Sequence, residues 1–316
     1  MSTTSLAPKD AFAHELAMYG PATTMARPLS IHQSRDYCRR LARRHYENFT
    51  VASWLLPRRL RPHFYHVYAY CRWADDLADE TSDAQRSLEL LDWWESQLLE
   101  CYQGRATHPV FVALGETIAQ FDIPRQPFLD LLSAFRQDQS VTRYETFDEL
   151  EDYCRRSANP VGRLVLYLIG AQGPEQLPLA DSICTGLQLA NFWQDVSRDW
   201  ERGRIYLPAQ TRRRFGCDES TFERRQHSPA FRKALEFEVA RAERYLQTGL
   251  GLVPLVPRRL HVDIALFAHG GLAILEKIKQ VEYDVWNHRP ALSKWDGLRL
   301  FLRCWWQIRR RGVKTS

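Results

Sequence analysis

The sequence predicts an all-α chain, a single-domain helical bundle with a central apolar cavity. Three observations carry that reading. Apolar residues recur at helical spacing through most of the 316 residues, and alternating β-branched runs of the strand type are absent. A hydrophobic fraction of 45%, with 10 Trp, 13 Tyr and 15 Phe, is enough to line a large cavity as well as fill a core. No linker divides the chain and no fixed-period repeat argues for a solenoid. The expected layout is a flexible arm over 1–29, one helical domain over 30–311 and a short tail at 312–316.

Taken in order, Ser30 is placed to cap a helix running to about Tyr46, and Pro62 suits the first turn of a helix ending at Asp79. Helical periodicity then covers about 83–103, 107–121, 125–140, 147–158, 161–171, 178–202, 229–250, 258–282 and 292–311. Pro160 interrupts an apolar pattern after Asn159, which predicts either a cavity-shaping kink between Ala158 and Val161 or a plain joint between two helices. The first 28 residues, with Pro8, Gly20, Pro21 and Pro28, lack the apolar core of a signal peptide. No apolar run reaches the roughly 18 residues of a membrane-spanning helix.

Charge and cysteine usage narrow the class. Forty-three basic and 38 acidic residues give a net charge of +5. That excess is too small to argue for nucleic acid, but it suits an anionic diphosphate substrate or an anionic membrane surface. The seven cysteines, Cys38, Cys71, Cys101, Cys154, Cys184, Cys217 and Cys304, are odd in number and scattered, so they read as reduced, mostly buried thiols of a cytoplasmic protein.

The chemistry concentrates in two acidic clusters 120 residues apart, Asp75, Asp76 and Asp79 in one, Asp195 and Asp199 in the other. Each holds a carboxylate pair at i, i+4, which places both groups on one helix face a turn apart. A lone cluster of this kind is more often solvated charge. The neighbours argue otherwise. Gln188 and Asn191 extend the second pair into a single stripe of amides and carboxylates on a helix otherwise built from Leu187, Leu189, Ala190, Phe192 and Trp193. Polar groups on so apolar a helix are costly unless they coordinate or hydrogen-bond something. Carboxylate and amide oxygens are hard ligands, and Mg²⁺ bridges one or two carboxylates to substrate phosphates, so the inferred ligand is a magnesium diphosphate held between two facing helices. Neither a Walker loop nor a dinucleotide fingerprint competes for the phosphate. Arg72, Arg198 and Arg204 are available for its remaining oxygens, although each taken alone is more often a surface ion-pair partner.

The segments from Tyr68 through Arg72, Asp75, Asp76 and Asp79, and from Gln188 through Asn191, Asp195 and Asp199 to Gly203, Arg204, Tyr206 and Pro208, resemble the paired signatures of squalene and phytoene synthases, the head-to-head prenyl diphosphate synthases. The resemblance covers about 30–300. Within that family, His45, Glu47, Asn48, Phe49 and the run from Ala158 through Asn159 and Pro160 to Gly162 look most like bacterial hydroxysqualene synthase of hopanoid biosynthesis. The resemblance implies the class I terpenoid synthase fold and Mg²⁺ as cofactor. It makes Asp75, Asp79, Asn191, Asp195 and Asp199 the metal ligands, with Asp76 flanking them, Gln188 supporting the second metal face, and Tyr68 and Arg72 on the diphosphate. It puts Phe49 at the cavity wall, Tyr153 and Tyr283 near the diphosphate, and His45, Asn48, Arg198 and Arg204 in the substrate site. Asn48 replaces a serine common among relatives and Asn159-Pro160 replaces a small Gly-Thr floor, which points away from a simple condensation of two farnesyl groups.

The implied reaction ionises presqualene diphosphate, rearranges its cyclopropyl skeleton and captures the cation with water, without a hydride donor. The alternatives are condensation of two farnesyl diphosphates to presqualene diphosphate, squalene or dehydrosqualene, and a non-catalytic assembly factor, against which the retention of both clusters argues. The implied partners are a prenyl diphosphate substrate and other pathway enzymes, without nucleic acid. The last helix presents an apolar face at 298, 301, 305 and 308 beside several arginines, and reads either as the final core helix or as a peripheral contact with the inner membrane.

Overall fold

The computed structural model describes residues 8–23, 29–44, 57–81 and 83–313. Among these residues the architecture is all-α, with fifteen α-helices, two short 3₁₀ segments and one isolated β-bridge between Arg143 and Ile205. The chain divides into two compact units, 1–140 and 141–316.

The first unit contains α1 (Pro8–Tyr19), α2 (Ile31–Arg44), α3 (Arg61–Asp79), α4 (Ala84–Tyr102), α5 (Pro109–Phe121) and α6 (Gln126–Gln137). Ser30 starts α2 as expected, through a reciprocal box: its Oγ accepts from the Gln33 amide at 3.3 Å and Gln33 Oε1 accepts from the Ser30 amide at 2.9 Å. Pro62 occupies the first turn of α3, where the missing N–H costs nothing. From there α3 buries Tyr70, Trp73, Ala74, Leu77 and Ala78. Trp73 stacks on Trp94 of α4 at 5.2 Å, and its indole N–H donates to Tyr37 of α2 at 2.9 Å. Tyr37 in turn donates to Glu15 of α1 at 2.9 Å. That relay, together with buried Phe12 at 5.5 Å from Trp73, fixes α1, a helix not expected within the segment read as an arm. An aromatic and a carboxylate one turn apart anchor Pro8–Tyr19 as a helix, which Pro8 opens and Gly20 and Pro21 follow.

The second unit contains α7 (Phe147–Ser157), α8 (Asn159–Ile169), α9 (Gln176–Gln194), α10 (Val196–Glu201), α11 (Ala209–Phe215), α12 (Glu219–Glu223), α13 (Pro229–Gly249), α14 (His261–Gln280) and α15 (Lys294–Val313). Pro160 marks a joint: α7 ends at Ser157, Ala158 takes φ −115°, and Pro160 lies in the first turn of α8. Between α9 and α13 the backbones approach closely. A Cβ added to Gly186 would lie 2.7 Å from Leu246 Cγ, so only hydrogen fits there.

Two expected helices differ from the sequence expectation, and two short ones were not expected. The helix expected over 178–202 is interrupted at Asp195, where ψ opens to 15°. The interruption is local, because the Asp195 amide still bonds Asn191 O and the Asp199 amide still bonds Asp195 O, both at 2.9 Å. The segment from 258 begins as 3₁₀ (Arg258–Leu260) before α14. Short helices α11 and α12 went unpredicted because seven and five residues hold too few turns to establish a period. All seven cysteines are free thiols, five of them buried.

Candidate active site

The first acidic cluster ends α3. Arg72 is three residues before Asp75 and four before Asp76, so its guanidinium reaches both carboxylates on the same helix. Asp76 is turned into the protein and is gripped in a two-pronged contact, with Arg72 Nε donating to Oδ2 at 3.0 Å. Burial outweighs that pull and lifts the Asp76 carboxyl to about 7. Asp75, 3.3 Å from Arg72 Nη1, stays half exposed, and Asp79 is exposed one turn on. Tyr68 is half-buried one turn before Arg72, its phenol raised chiefly by burial, with the Arg72 charge opposing. Asp75 is thus shared with Arg72 at half exposure, Asp79 is exposed, and Asp76 is buried against Arg72.

The second cluster runs from α9 into α10. Gln188 is half-buried and Asn191 exposed, and Asp195 follows at the interruption. Its carboxylate accepts from Arg289 Nε at 2.6 Å and Nη2 at 3.0 Å, while Arg198 stands 3.8 Å away. The carboxyl of Asp199 is raised to about 7, first by burial and then by the negative charge of Asp195. Arg204 follows immediately, its amide bonded to Asp199 O at 2.8 Å and its charge acting in the opposite direction on that carboxyl.

Aromatic side chains back this second cluster. The Ile205 amide bonds Thr142 O at 2.9 Å, which fixes Tyr206, and its ring stacks on Phe192 of α9 at 3.7 Å. Tyr144 and Tyr153 complete the group, at 5.8 and 6.1 Å from Tyr206. Asn159, at the start of α8, is buried, and its amide oxygen accepts from Thr185 of α9 at 2.9 Å, one turn before Gln188. Tyr283 lies elsewhere in the unit. It sits in a left-handed turn at φ 66°, and the charges that act on it are those of Glu236, Lys279, Glu243 and Arg232. His45, Asn48 and Phe49 fall outside the described residues.

Among the described residues no group of three His, Cys, Asp or Glu side chains is already gathered in a metal-binding cluster. Asp76 and Asp195 are instead drawn to arginines. Each cluster by itself carries hard oxygen donors suited to a divalent cation, Asp75 and Asp79 in the first and Asn191, Asp195 and Asp199 in the second, and the charge of Asp195 on half-buried Asp199 is a repulsion that a cation would relieve. Sequence reasoning missed Arg289. Nothing local marks it, since it lies 94 residues from Asp195. Tyr206 and Tyr144 were legible only as parts of a motif and an aromatic-rich composition.

The squalene/phytoene synthase signature spans 42–296 of the chain. A phytoene synthase of Arthrospira platensis is 33% identical over 286 residues, 86% of this chain and 92% of that protein. A hydroxysqualene synthase of Rhodopseudomonas palustris is 38% identical over 206 residues, 64% of this chain and 69% of that protein. In three dimensions the chain resembles the crystal structure of squalene synthase HpnC from Alicyclobacillus acidocaldarius, with a TM-score of 0.78 and 44% identity, over 80% of this chain and 95% of that one. The fold is accordingly that of the class I terpenoid synthases. With two arginine-held acidic helices and a family signature that contains both, the chain belongs to the squalene/phytoene synthase family and is an isoprenoid synthase.

Proposed function

We propose that the protein converts presqualene diphosphate and water to hydroxysqualene and diphosphate, with Mg²⁺ as its metal. The observation that carries the choice of product is the 38% identity with a hydroxysqualene synthase, against 33% with a phytoene synthase. The phytoene likeness runs along more of the chain, and it supports the second reading, head-to-head condensation of two farnesyl diphosphates to presqualene diphosphate, squalene or dehydrosqualene. We assign the reaction to the cytoplasm, at the inner membrane, in company with the enzymes that make the substrate and consume the product.

In this reading Asp75 and Asp79 on α3, Asn191 on α9, Asp195 at the joint and Asp199 on α10 would hold the metal, which when bound would supply positive charge to offset that of the departing diphosphate. Gln188 supports the second ligand set. Tyr68, Arg72, Arg198 and Arg204 donate to diphosphate oxygens, with Arg72 kept in register by Asp76. The carbon–oxygen bond breaks with its electron pair on the diphosphate, and the cyclopropylcarbinyl cation rearranges to a tertiary cation. Stacked Phe192 and Tyr206, with Tyr153, give a π-rich wall that stabilises the cation without reacting with it. Water adds to the tertiary carbon and loses a proton. The Asn159 oxygen accepts from Thr185 with one of its two lone pairs, and its second lone pair can accept from the water that it orients. His45, Asn48, Phe49 and Tyr283 remain substrate contacts by resemblance alone.

The test is product analysis with purified protein, Mg²⁺ and presqualene diphosphate in isotopically labelled water, with no nicotinamide present. Labelled hydroxysqualene is expected, with farnesyl diphosphate alone a poor substrate. Rapid formation of presqualene diphosphate from farnesyl diphosphate, or squalene formed only with NADPH, would move the assignment to the second reading.

A further inference from the structure

We propose that α15 docks the protein on an anionic lipid surface through its outer face. Of the seven large apolar side chains that are exposed among the described residues, five lie on this one helix: Trp295, Leu298, Leu302, Trp305 and Trp306. They are not fraying from a loosely attached end. Cys304 is 1% exposed, and Asp296 holds Lys277 of α14 at 3.1 Å, so α15 is fastened to its unit by the opposite side. At about 100° per residue, Trp295, Leu302 and Trp306 point away from Cys304, with Leu298 and Trp305 beside them. The apolar face expected from sequence at 298, 301, 305 and 308 is therefore split. Phe301 and Ile308 turn partly inward, and the outward stripe runs 295, 298, 302, 305, 306. An ordinary surface helix shows its polar side to solvent, whereas α15 shows indole and leucine, with Trp295 73% exposed.

Charge identifies what covers the stripe. The helix carries six basic residues and one acidic, an excess of five that equals the net charge of the whole chain. Arg299 and Arg303 are exposed along one edge of the stripe, and the Arg309 guanidinium lies 4.1 Å from the centre of the Trp305 ring. A second copy of the chain would bring two such basic faces together and be repelled, while an anionic leaflet neutralises the same charge. Indole rings flanked by arginines suit the headgroup boundary, where the ring body is apolar and its edge stays polar. Among the described residues no helix is long and apolar enough to cross a membrane, so α15 lies in the interface plane. This inference deepens the inner-membrane assignment made above through the face of α15, and it holds or fails separately from the choice of product.

Co-sedimentation of the full chain with phosphatidylcholine vesicles, with and without phosphatidylglycerol, tests it. Binding is expected to anionic vesicles and to weaken as salt rises. The combined substitution Trp295→Ser, Leu298→Ser and Leu302→Ser should lower the partition coefficient by at least about tenfold, because three apolar groups no longer leave water. Arg299→Glu with Arg303→Glu should abolish the preference for anionic vesicles while leaving the melting temperature near the parent's. The proposal is overturned if the parent binds no vesicle, or if the triple variant binds as the parent does with its helix content intact. It is equally overturned if the parent is a dimer without lipid that the triple variant turns into monomer while neither binds vesicles, which would make the stripe a contact between copies.

Discussion

On α3 the guanidinium of Arg72 reaches Asp75 and Asp76 within one turn of its own helix, whereas Asp195, at the end of α9, is gripped by Arg289 from 94 residues further along the chain. The supporting backbone differs in the same sense. Helix α3 continues unbroken to Asp79 over a buried row of Trp73, Ala74, Leu77 and Ala78, while α9 stops at Asp195 and the side chain of Gln194 is tied to the carbonyl of Pro290. The first carboxylates are thus placed by local geometry and a packed helix. The second set depends on a tertiary tether to the segment after α14, and the two should respond differently when their arginines are removed.

The largest effect tests whether both clusters serve one reaction. Asp75→Asn and Asp195→Asn should each lower metal-dependent diphosphate release by roughly two to three orders of magnitude, the usual cost of deleting one preorganised electrostatic group. Asp75 is half exposed, so its substitution should move stability by less than about 0.5 kcal/mol. Full activity in either variant, measured as released diphosphate, would remove that cluster from the site.

Arg72→Ala separates the two settings next. It leaves the buried Asp76 carboxyl, already lifted to about 7, to take up a proton, so the loss is that of a charge-assisted hydrogen bond, about 1.5–3 kcal/mol. Urea unfolding should show that loss. A value below about 1 kcal/mol would mean that Asp76 finds another partner and that α3 is held by its aromatic packing alone.

The contrast also explains what the sequence could disclose. The i, i+3 and i, i+4 relations among Arg72, Asp75 and Asp76 are written in consecutive residues, as are the Ser30 cap and the Pro62 start, and the structure reproduces those contacts. The stripe through Gln188, Asn191, Asp195 and Asp199 was legible as a helix face, but its interruption was not. What accompanies the opening at Asp195 is Arg289 and Pro290, and no local pattern points to residues so distant. Helix α1 was missed for a related reason: its order rests on the relay from Trp73 through Tyr37 to Glu15, which is tertiary. On α15 the periodicity was visible, yet which side packs is decided by α14.

A smaller effect distinguishes α3 through its buried histidines. Thr117 Oγ1 stands 3.0 Å from His63 Nδ1 and 2.8 Å from His66 Nδ1, so a hydroxyl that has one proton to give must accept from one ring and donate to the other. Burial first, then the charges of His63 and Arg35 against the opposing charge of Glu116, together lower the His66 pKa to about 4. A folded value below the ordinary 6.5 means that the unfolded chain binds the proton more readily. The resulting stability is complete above about 6.5 and is lost as the pH falls toward 4. His66→Gln should flatten the fall in melting temperature over that interval; an unchanged acid slope would exclude His66 as its source.

Arg289→Ala should have the smallest global effect and the most local one. Arg289 is about a third exposed on its side of the pair, and exposed ion pairs contribute roughly 0–1 kcal/mol, so the melting temperature should scarcely move. Asp195, however, loses both of the hydrogen bonds that fix its carboxylate, and the charge it places beside Asp199 is no longer offset. The backbone at the interruption, retained by single bonds from Asp195 to Asn191 and from Asp199 to Asp195, should then open more often. Amide exchange across Val196–Glu201 should quicken by about tenfold, while exchange in α3 stays at the parental rate. Equal protection of Val196–Glu201 in both proteins would show that α10 is held by its packing, as α3 is, and would erase the difference drawn between the two acidic helices.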